Sequence, residues 1–226
     1  LLLTAKARLV APLVVLRRAA DDFLLLTEPE LGERLVAELL RFRFAARCTV
    51  EHEHHTSTLV LADEPPAGGL ASPEYGEGAY ELLDADTASA ASIAAEELER
   101  RRILAGLPRW GKELDERIQP AEAGLDRRAV SFTKGCYPGQ EPVARLHYRG
   151  HPNRGLRVLS LAGSELPDYD AELTSAGKQV GRITSAVRDG DGVLALAYVR
   201  SEVPDDVELT SGSRSATQLH SVSPRP

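Results

Sequence analysis

The sequence predicts an α+β protein in which a ferredoxin-like unit is followed by a small antiparallel β-barrel. Over residues 1–150, short apolar runs alternate with two helical segments. Residues 151–226 contain only short strand-like runs separated by Gly, Asp and Pro turns. The composition, 42% hydrophobic and 27% charged in 226 residues, is that of a globular chain long enough for one large domain or two modest ones. We therefore predict one domain over 1–150 and a second over 151–226.

The first predicted domain interleaves strands with two helices. Apolar residues recur at helical spacing over 30–44, which predicts an amphipathic helix lying on a sheet. A second helix is predicted over 92–104, with Ile93, Leu98 and Ile103 turned inward. Strands are predicted at 9–16, 23–26, 48–55, 56–62 and 80–83, with a Pro- and Gly-rich loop at 65–69.

The second predicted domain contains strands alone. Apolar and β-branched runs of a few residues alternate with turn residues, as is typical of a small closed barrel. The strands are predicted at 156–161, 172–174, 179–185, 193–198 and 207–210.

Charge and cysteine content narrow the classes of partner. A formal net charge of −7 gives no electrostatic basis for non-specific binding to nucleic acid or to an anionic membrane, although it leaves room for a local basic patch. We expect no direct nucleic-acid or membrane partner. Cys48 and Cys136 are the only cysteines and have no metal-ligand spacing, so we interpret them as reduced thiols of a cytoplasmic protein.

One segment concentrates chemically capable side chains around two glycines. Pro138 and Gly139 occupy the central places of a type II turn, where Gly supplies the positive φ. This turn places Cys136 at its entrance, and a nearby Lys134 ammonium would favour the reactive thiolate. The alternative is a hairpin whose small Cys fills a pocket in the core. The segment reads Lys134-Gly135-Cys136-Tyr137-Pro138-Gly139-Gln140-Glu141.

This segment and its surroundings resemble the YgfZ family of folate-binding proteins, relatives of the glycine-cleavage aminomethyltransferase, the T-protein. The K-G-C-aromatic-x-G-Q-E letters are all present, and the A-R-x-x-Y-R-G continuation follows at 144–150. Matching stretches lie at 102–125 and at 177–185, the latter similar to a hairpin of the shared C-terminal barrel. The resemblance implies a T-protein-like first domain that binds tetrahydrofolate, and an accessory function in iron-sulfur cluster assembly or repair.

The resemblance also implies roles for individual residues. Cys136 and Lys134 would be the reactive pair. The cofactor-binding residues would be Glu77, Arg102 and Tyr148. The supporting residues of the motif would be Gly135, Tyr137, Gly139, Gln140, Glu141 and Arg145.

Glu77 lies in a glycine-rich segment, 75–81, that resembles the folate-binding segment of the aminomethyltransferases. There a Glu holds the pterin ring, and a carboxylate suits the adjacent N–H donors of such a ring. A solvated Glu in a turn is the alternative. The segment departs from its relatives at Ala79, where they have Gly.

Three functions remain open at this stage. The resemblance favours a folate-dependent accessory factor whose partners are iron-sulfur client or assembly proteins, and which indirectly supports tRNA-modifying radical enzymes. The competing class is an enzyme that moves a one-carbon unit from an aminomethyl-lipoyl carrier to tetrahydrofolate, although T-proteins lack this cysteine segment. A folate-binding module without chemistry would be favoured by a buried, inert Cys136.

Two further chemistries are disfavoured. Glu51-His52-Glu53-His54-His55 invites a metal site, but on a strand alternate side chains point to opposite faces, so no face carries three ligands of fixed geometry. Pairing of His147 or His151 with Cys136 would suggest a Cys-His nucleophile, but no Asn or Asp can be assigned as its orienting partner.

The chain opens in the middle of a pattern. Leu1-Leu2-Leu3-Thr4, followed by Lys6 and Arg8, resembles a strand pair from well inside the family's first domain, with Ala5 and Ala7 in place of Pro and Gly. We expect that an earlier segment is missing.

Overall fold

The computed structural model describes residues 1–44, 46–72, 75–76, 78–86 and 91–222. Four α-helices are present among them, together with 3-10 helices at Pro29–Leu31 and Pro120–Ala123. The helices are α1 (Gly32–Phe42), α2 (Ala95–Leu104), α3 (Asp126–Ala129) and α4 (Gln140–Arg149). Among the described residues, none of these helices has the length and apolar character needed to cross a membrane.

The strands before α2 form three small antiparallel sheets. β1 pairs with β2, β3 pairs with β4, and β7 lies between β5 and β6. Their bounds are β1 (Leu2–Leu3), β2 (Leu9–Ala11), β3 (Val14–Arg17), β4 (Phe23–Leu26), β5 (Ser57–Leu61), β6 (Leu70–Ala71) and β7 (Ala79–Leu83).

The remaining strands close into an antiparallel barrel in the order β10-β11-β8-β13-β12-β9. Closure removes the exposed sheet edges, and apolar side chains from every strand fill the interior. The long strand β10 shifts register between Ile183 and Ser185, a bulge that lets it bend around the barrel. The bounds are β8 (Arg154–Leu161), β9 (Glu172–Ser175), β10 (Lys178–Asp189), β11 (Gly192–Arg200), β12 (Leu209–Ser211) and β13 (Arg214–Ser221).

The chain divides into two compact units that are each discontinuous in sequence. The first unit contains 1–54 and 110–152, and its small core packs Leu31 and Leu35 of the α1 region against Ala11. The second unit contains 55–109 and 153–226, and its core is the barrel interior. The predicted fold class, an α+β chain ending in an antiparallel barrel, is confirmed. The division into domains 1–150 and 151–226 stays a prediction.

Several predicted elements differ from those observed. Residues 48–55 are not a strand. The segment is short and mostly polar, and alternation of side chains in such a segment does not distinguish a strand from an extended loop. Helix α2 begins at Ala95, so Ile93 precedes it and is 46% exposed. Leu98 is 37% exposed, whereas Ile103 is fully buried as predicted. Helix α4 and strand β13 were not predicted, since neither carries a clear apolar period.

The hairpin between β9 and β10 offers a test of backbone strain. Ser175 pairs with Lys178, so Ala176 and Gly177 form a two-residue turn in which both have positive φ, 48° and 75°. Alanine is strained there, whereas asparagine tolerates this conformation. Ala176→Asn is expected to raise the free energy of unfolding by about 0.5–1 kcal/mol in urea titrations. Gly177→Ala should lower it by about 1 kcal/mol, and a loss of stability in both variants would contradict the assigned turn.

Candidate functional site

The predicted turn forms and leads directly into helix α4. The Gln140 amide donates to the Tyr137 carbonyl at 3.2 Å, which closes the turn. Gly139 has φ 82° and ψ 3°, the values of the third residue of a type II turn, and it is also the residue that precedes the helix. The turn and its glycine were predicted from the sequence, whereas the helix that follows was not.

Gly139 is required at its position for a steric reason as well. A Cβ added to it would lie 2.5 Å from the Thr4 carbonyl oxygen and 3.0 Å from the Ala7 Cα. Thr4 and Ala7 belong to a turn of their own, closed by a 2.9 Å bond from the Ala7 amide to the Thr4 carbonyl. Ala7 has φ 57° at the place where the resembling family has Gly. Residues 134–139, which we call the cysteine loop, are therefore seated on the turn between β1 and β2.

Cys136 is exposed on this loop, so the buried-cysteine alternative is wrong. Lys134 is also exposed, and its Nζ lies 5.0 Å from the centroid of the Tyr137 ring. The Ser131 hydroxyl accepts weak bonds from the amides of Thr133 and Lys134, at 3.4 and 3.3 Å. These contacts order the approach to the turn and leave the thiol accessible.

Tyr137 carries an unusual hydroxyl. Among the described residues it is the one buried side-chain polar atom without a hydrogen-bond partner. Burial raises the pKa of the Tyr137 phenol, which keeps it a neutral donor at physiological pH. An unpaired buried hydroxyl lowers stability by about 1–3 kcal/mol. The residue after the exposed Cys136 thus carries a buried donor with no partner.

An aromatic cluster covers the C-terminal half of α4. The Phe132 ring stacks on His147 with centroids 3.8 Å apart, and Tyr148 meets both rings edge-on. Phe132 and His147 also line a small cavity, together with Val143 and Leu146 of the same helix. Gln140 is half-buried at the start of α4. Glu141, Arg145 and Tyr148 are exposed.

Arg102 lies in the second unit and is 4% exposed. Its Nε and Nη2 each donate to a Glu99 carboxylate oxygen at 2.8 Å, and Nη2 also donates to the Ser185 hydroxyl at 2.7 Å. Its Nη1 donates to the Leu107 carbonyl. These bonds tie α2 to β10 and give Arg102 a structural role. Its predicted role as a folate ligand stays a prediction, and this network does not support it.

Glu77 lies outside the described residues, so its predicted contact with folate stays a prediction. Its neighbours Gly76 and Gly78 both have positive φ, 113° and 75°. A Cβ on Gly78 would lie 2.6 Å from the Ala62 carbonyl oxygen, so this glycine is fixed by its surroundings.

The predicted site residues fall into two groups. Those from Lys134 to Tyr148 lie on one continuous segment of the first unit, the cysteine loop and α4. Arg102 belongs to the second unit. The contact of Phe132 with His147 and the buried Tyr137 hydroxyl were not predicted, because no sequence period links the residues involved.

The histidine-rich segment does not form a metal site in the described part of the chain. No group of three or more His, Cys, Asp or Glu side chains within that part could hold a metal ion. The His52 and His54 rings lie 4.5 Å apart in an extended loop of the first unit. In the second unit, His55 Nδ1 lies 2.6 Å from the Asp84 carboxylate, and this contact lowers the pKa of Asp84.

The fold is that of an aminomethyltransferase of the glycine cleavage system. The chain superimposes on the crystal structure of aminomethyltransferase T from Bartonella henselae with a TM-score of 0.78. The match covers 98% of this chain and 73% of that one, at 20% sequence identity, so it identifies the fold alone.

In sequence, the chain is related to the YgfZ proteins, as its motif predicted, and also to a mitochondrial iron-sulfur cluster assembly factor. It is 42% identical to the tRNA-modifying protein YgfZ of Aliivibrio fischeri over 113 residues, 47% of this chain and 36% of that protein. It is 31% identical to the human iron-sulfur cluster assembly factor IBA57 over 210 residues, 80% of this chain. The chain thus spans little more than half, 57%, of the human protein. No family model matches it.

Proposed function

We propose that this protein is a tetrahydrofolate-binding factor that assists iron-sulfur cluster assembly or repair, with Cys136 as its functional thiol. The observation that carries the proposal is the exposed Cys136 on a loop whose backbone is fixed by Gly139 and the Thr4 turn. A thiol held outward at a defined position suits exchange with a second molecule, whereas a structural cysteine is normally buried.

The relatives named above support the iron-sulfur part of the proposal. A cluster ligated by cysteines takes more thiolates than the two cysteines of this chain supply. The partners are therefore iron-sulfur client or assembly proteins that complete the ligand set. Support for tRNA-modifying enzymes would follow indirectly through their clusters, and we place the protein in the cytoplasm.

The cysteine is tested by the Cys136→Ser variant in cells that lack the native protein. Serine is nearly isosteric but provides no thiolate at neutral pH, so the variant is expected to fold, to bind folate and to fail to sustain cluster-dependent enzymes. Cys48→Ser is the matched control and should sustain them, since Cys48 is also exposed but lies outside the motif. Full activity of Cys136→Ser would make the cysteine dispensable.

Folate binding is tested by calorimetry with tetrahydrofolate. Loss of a charge-assisted hydrogen bond in Glu77→Ala is expected to weaken binding by about 1.5–3 kcal/mol, which is ten-fold or more. Glu64→Ala removes an exposed carboxylate elsewhere in the same unit and should leave binding unchanged. Unchanged affinity in a folded Glu77→Ala variant would remove Glu77 from the site.

A second candidate function is favoured by the fold. The T-protein architecture suits transfer of a one-carbon unit from an aminomethyl-lipoyl carrier to tetrahydrofolate. Carrier-dependent transfer by purified protein in which Cys136 has been replaced would favour this enzyme over the accessory factor.

A further inference from the structure

Four described arginines of the first unit have no partner and lie on the two helices that flank the cysteine loop in sequence. Within the described residues, Arg127 and Arg128 on α3 and Arg145 and Arg149 on α4 make no ion pair, hydrogen bond or ring contact. All four are exposed. Apart from Arg47, every other described arginine has a partner of at least one of these kinds.

The two helices that carry these arginines lie on one surface. Both α3 and α4 pack against the 3-10 helix Pro120–Ala123. Asp126 at the start of α3 and His147 near the end of α4 line the same cavity. Between Asp126 and Arg149 the sequence has five Lys and Arg residues but only two carboxylates, in a chain whose net charge is −7. We call this surface, formed by α3, the cysteine loop and α4, the cationic face.

The cationic face includes the exposed thiol, and α4 places two of its arginines at a distance over which charges act. Helix α4 begins four residues after Cys136 and, with ten residues, is about 15 Å long. The Debye length is about 10 Å at 0.1 M salt and about 30 Å at 0.01 M. At low ionic strength, Arg145 and Arg149 therefore contribute to the potential at Cys136.

We propose that the cationic face docks an acidic face of a partner protein and brings that partner to Cys136. This inference rests on the proposed function, which requires a second protein at the thiol. Arginine together with an exposed tyrosine, here the 67% exposed Tyr148, is the composition of protein interfaces. A long polyanion such as RNA fits less well, because beyond the face it meets an acidic chain that repels it.

The rate of thiol-disulfide exchange with charged peptides measures directly whether the cationic face attracts acidic molecules to Cys136, an effect that we call steering. Two short peptides, one rich in glutamate and one rich in lysine, each carry one cysteine activated as a 2-pyridyl disulfide. The Cys136 thiolate attacks the peptide sulfur, forms a mixed disulfide and expels pyridine-2-thione, while mass spectrometry separates Cys136 from Cys48. At about 0.01 M salt, the acidic peptide is expected to label Cys136 at least ten-fold faster than the basic one.

Arginine variants test whether the difference between the two labelling rates arises from the cationic face. The double variant Arg145→Gln/Arg149→Gln should lower the rate ratio several-fold, whereas Arg47→Gln, which removes another exposed arginine without a partner, should not. In cells, Arg145→Glu/Arg149→Glu should lose the support of cluster-dependent enzymes that Arg47→Glu retains. Equal rates for the two peptides, or a ratio unaffected by the double variant, would overturn the inference.

The remaining outcomes separate this inference from its alternatives. If single-stranded RNA of matched charge blocks labelling more strongly than a cysteine-free acidic peptide does, the face prefers nucleic acid and the inference is wrong. If Cys136→Ser proves fully active while steering persists, the proposed function fails and the docking face stands. If Cys136 proves essential but the two peptides label it at equal rates, the docking face is wrong and the proposed function stands.

Discussion

Replacing Gly139 with alanine is expected to lower the free energy of unfolding by about 3 kcal/mol and to displace the cysteine loop. Two causes act together. The residue has φ 82°, where an L side chain is strained by about 1–2 kcal/mol. The new methyl would also lie 2.5 Å from the Thr4 carbonyl oxygen, and a backbone atom cannot rotate away as a side chain can. Urea titration followed by circular dichroism measures the loss.

Gly135 in the same motif provides the matched control. A Cβ added there meets no described atom within 4 Å, and its φ lies outside the left-handed region. Gly135→Ala is therefore expected to change stability by less than about 0.5 kcal/mol. Equal losses in the two variants would contradict the steric account of Gly139.

The contrast between the two glycines also separates structure from function. If Gly135→Ala folds normally but fails to sustain cluster-dependent enzymes, the absence of a side chain at 135 serves the approach of a partner or ligand. Gly139→Ala cannot give that information, because it disturbs the loop itself. Backbone angle and sterics thus require glycine at 139, whereas neither requires it at 135.

Local chemistry made the turn predictable from the sequence. Pro138 and Gly139 prescribe their own backbone angles. The short apolar runs of the barrel are bounded by turn residues, and they form strands in the fold. What seats the turn was not predictable, because Thr4 and Ala7 are distant in sequence and the atoms nearest to a Cβ at Gly139 are backbone atoms. Every residue has a backbone carbonyl, so the residue types in the sequence do not reveal which carbonyl will contact Gly139.

Failures of prediction have a similar cause. Residues 48–55 carry mostly polar side chains, so no buried face selects strand over loop. Leu98 was assigned inward from helical spacing, yet α2 buries Ile103 and the polar Arg102. The buried face of α2 follows the network around Arg102, which a hydrophobic pattern does not reveal.

Replacing Arg102 with methionine is accordingly expected to lower the free energy of unfolding by about 3–5 kcal/mol. Methionine fills a similar volume but makes none of the hydrogen bonds that the guanidinium makes to Glu99, Leu107 and Ser185. The partly buried Glu99 carboxylate and the Leu107 carbonyl would lose these charged donors. Arg102→Lys should be intermediate, since an ammonium cannot reproduce the two-pronged bond to Glu99.

Arg101, the adjacent residue of α2, makes the comparison specific. Its ion pair with Glu97 is of similar length, 2.8 Å, but both side chains are more than a third exposed. Water screens such a pair, so Arg101→Met is expected to change stability by less than about 1 kcal/mol. Both variants replace arginine with methionine, so they change charge and volume equally. Their urea midpoints therefore show what this change does inside and outside the hydrogen-bond network of Arg102. A loss as small for Arg102→Met as for Arg101→Met would free Arg102 from its structural role and return it to the candidates for folate binding.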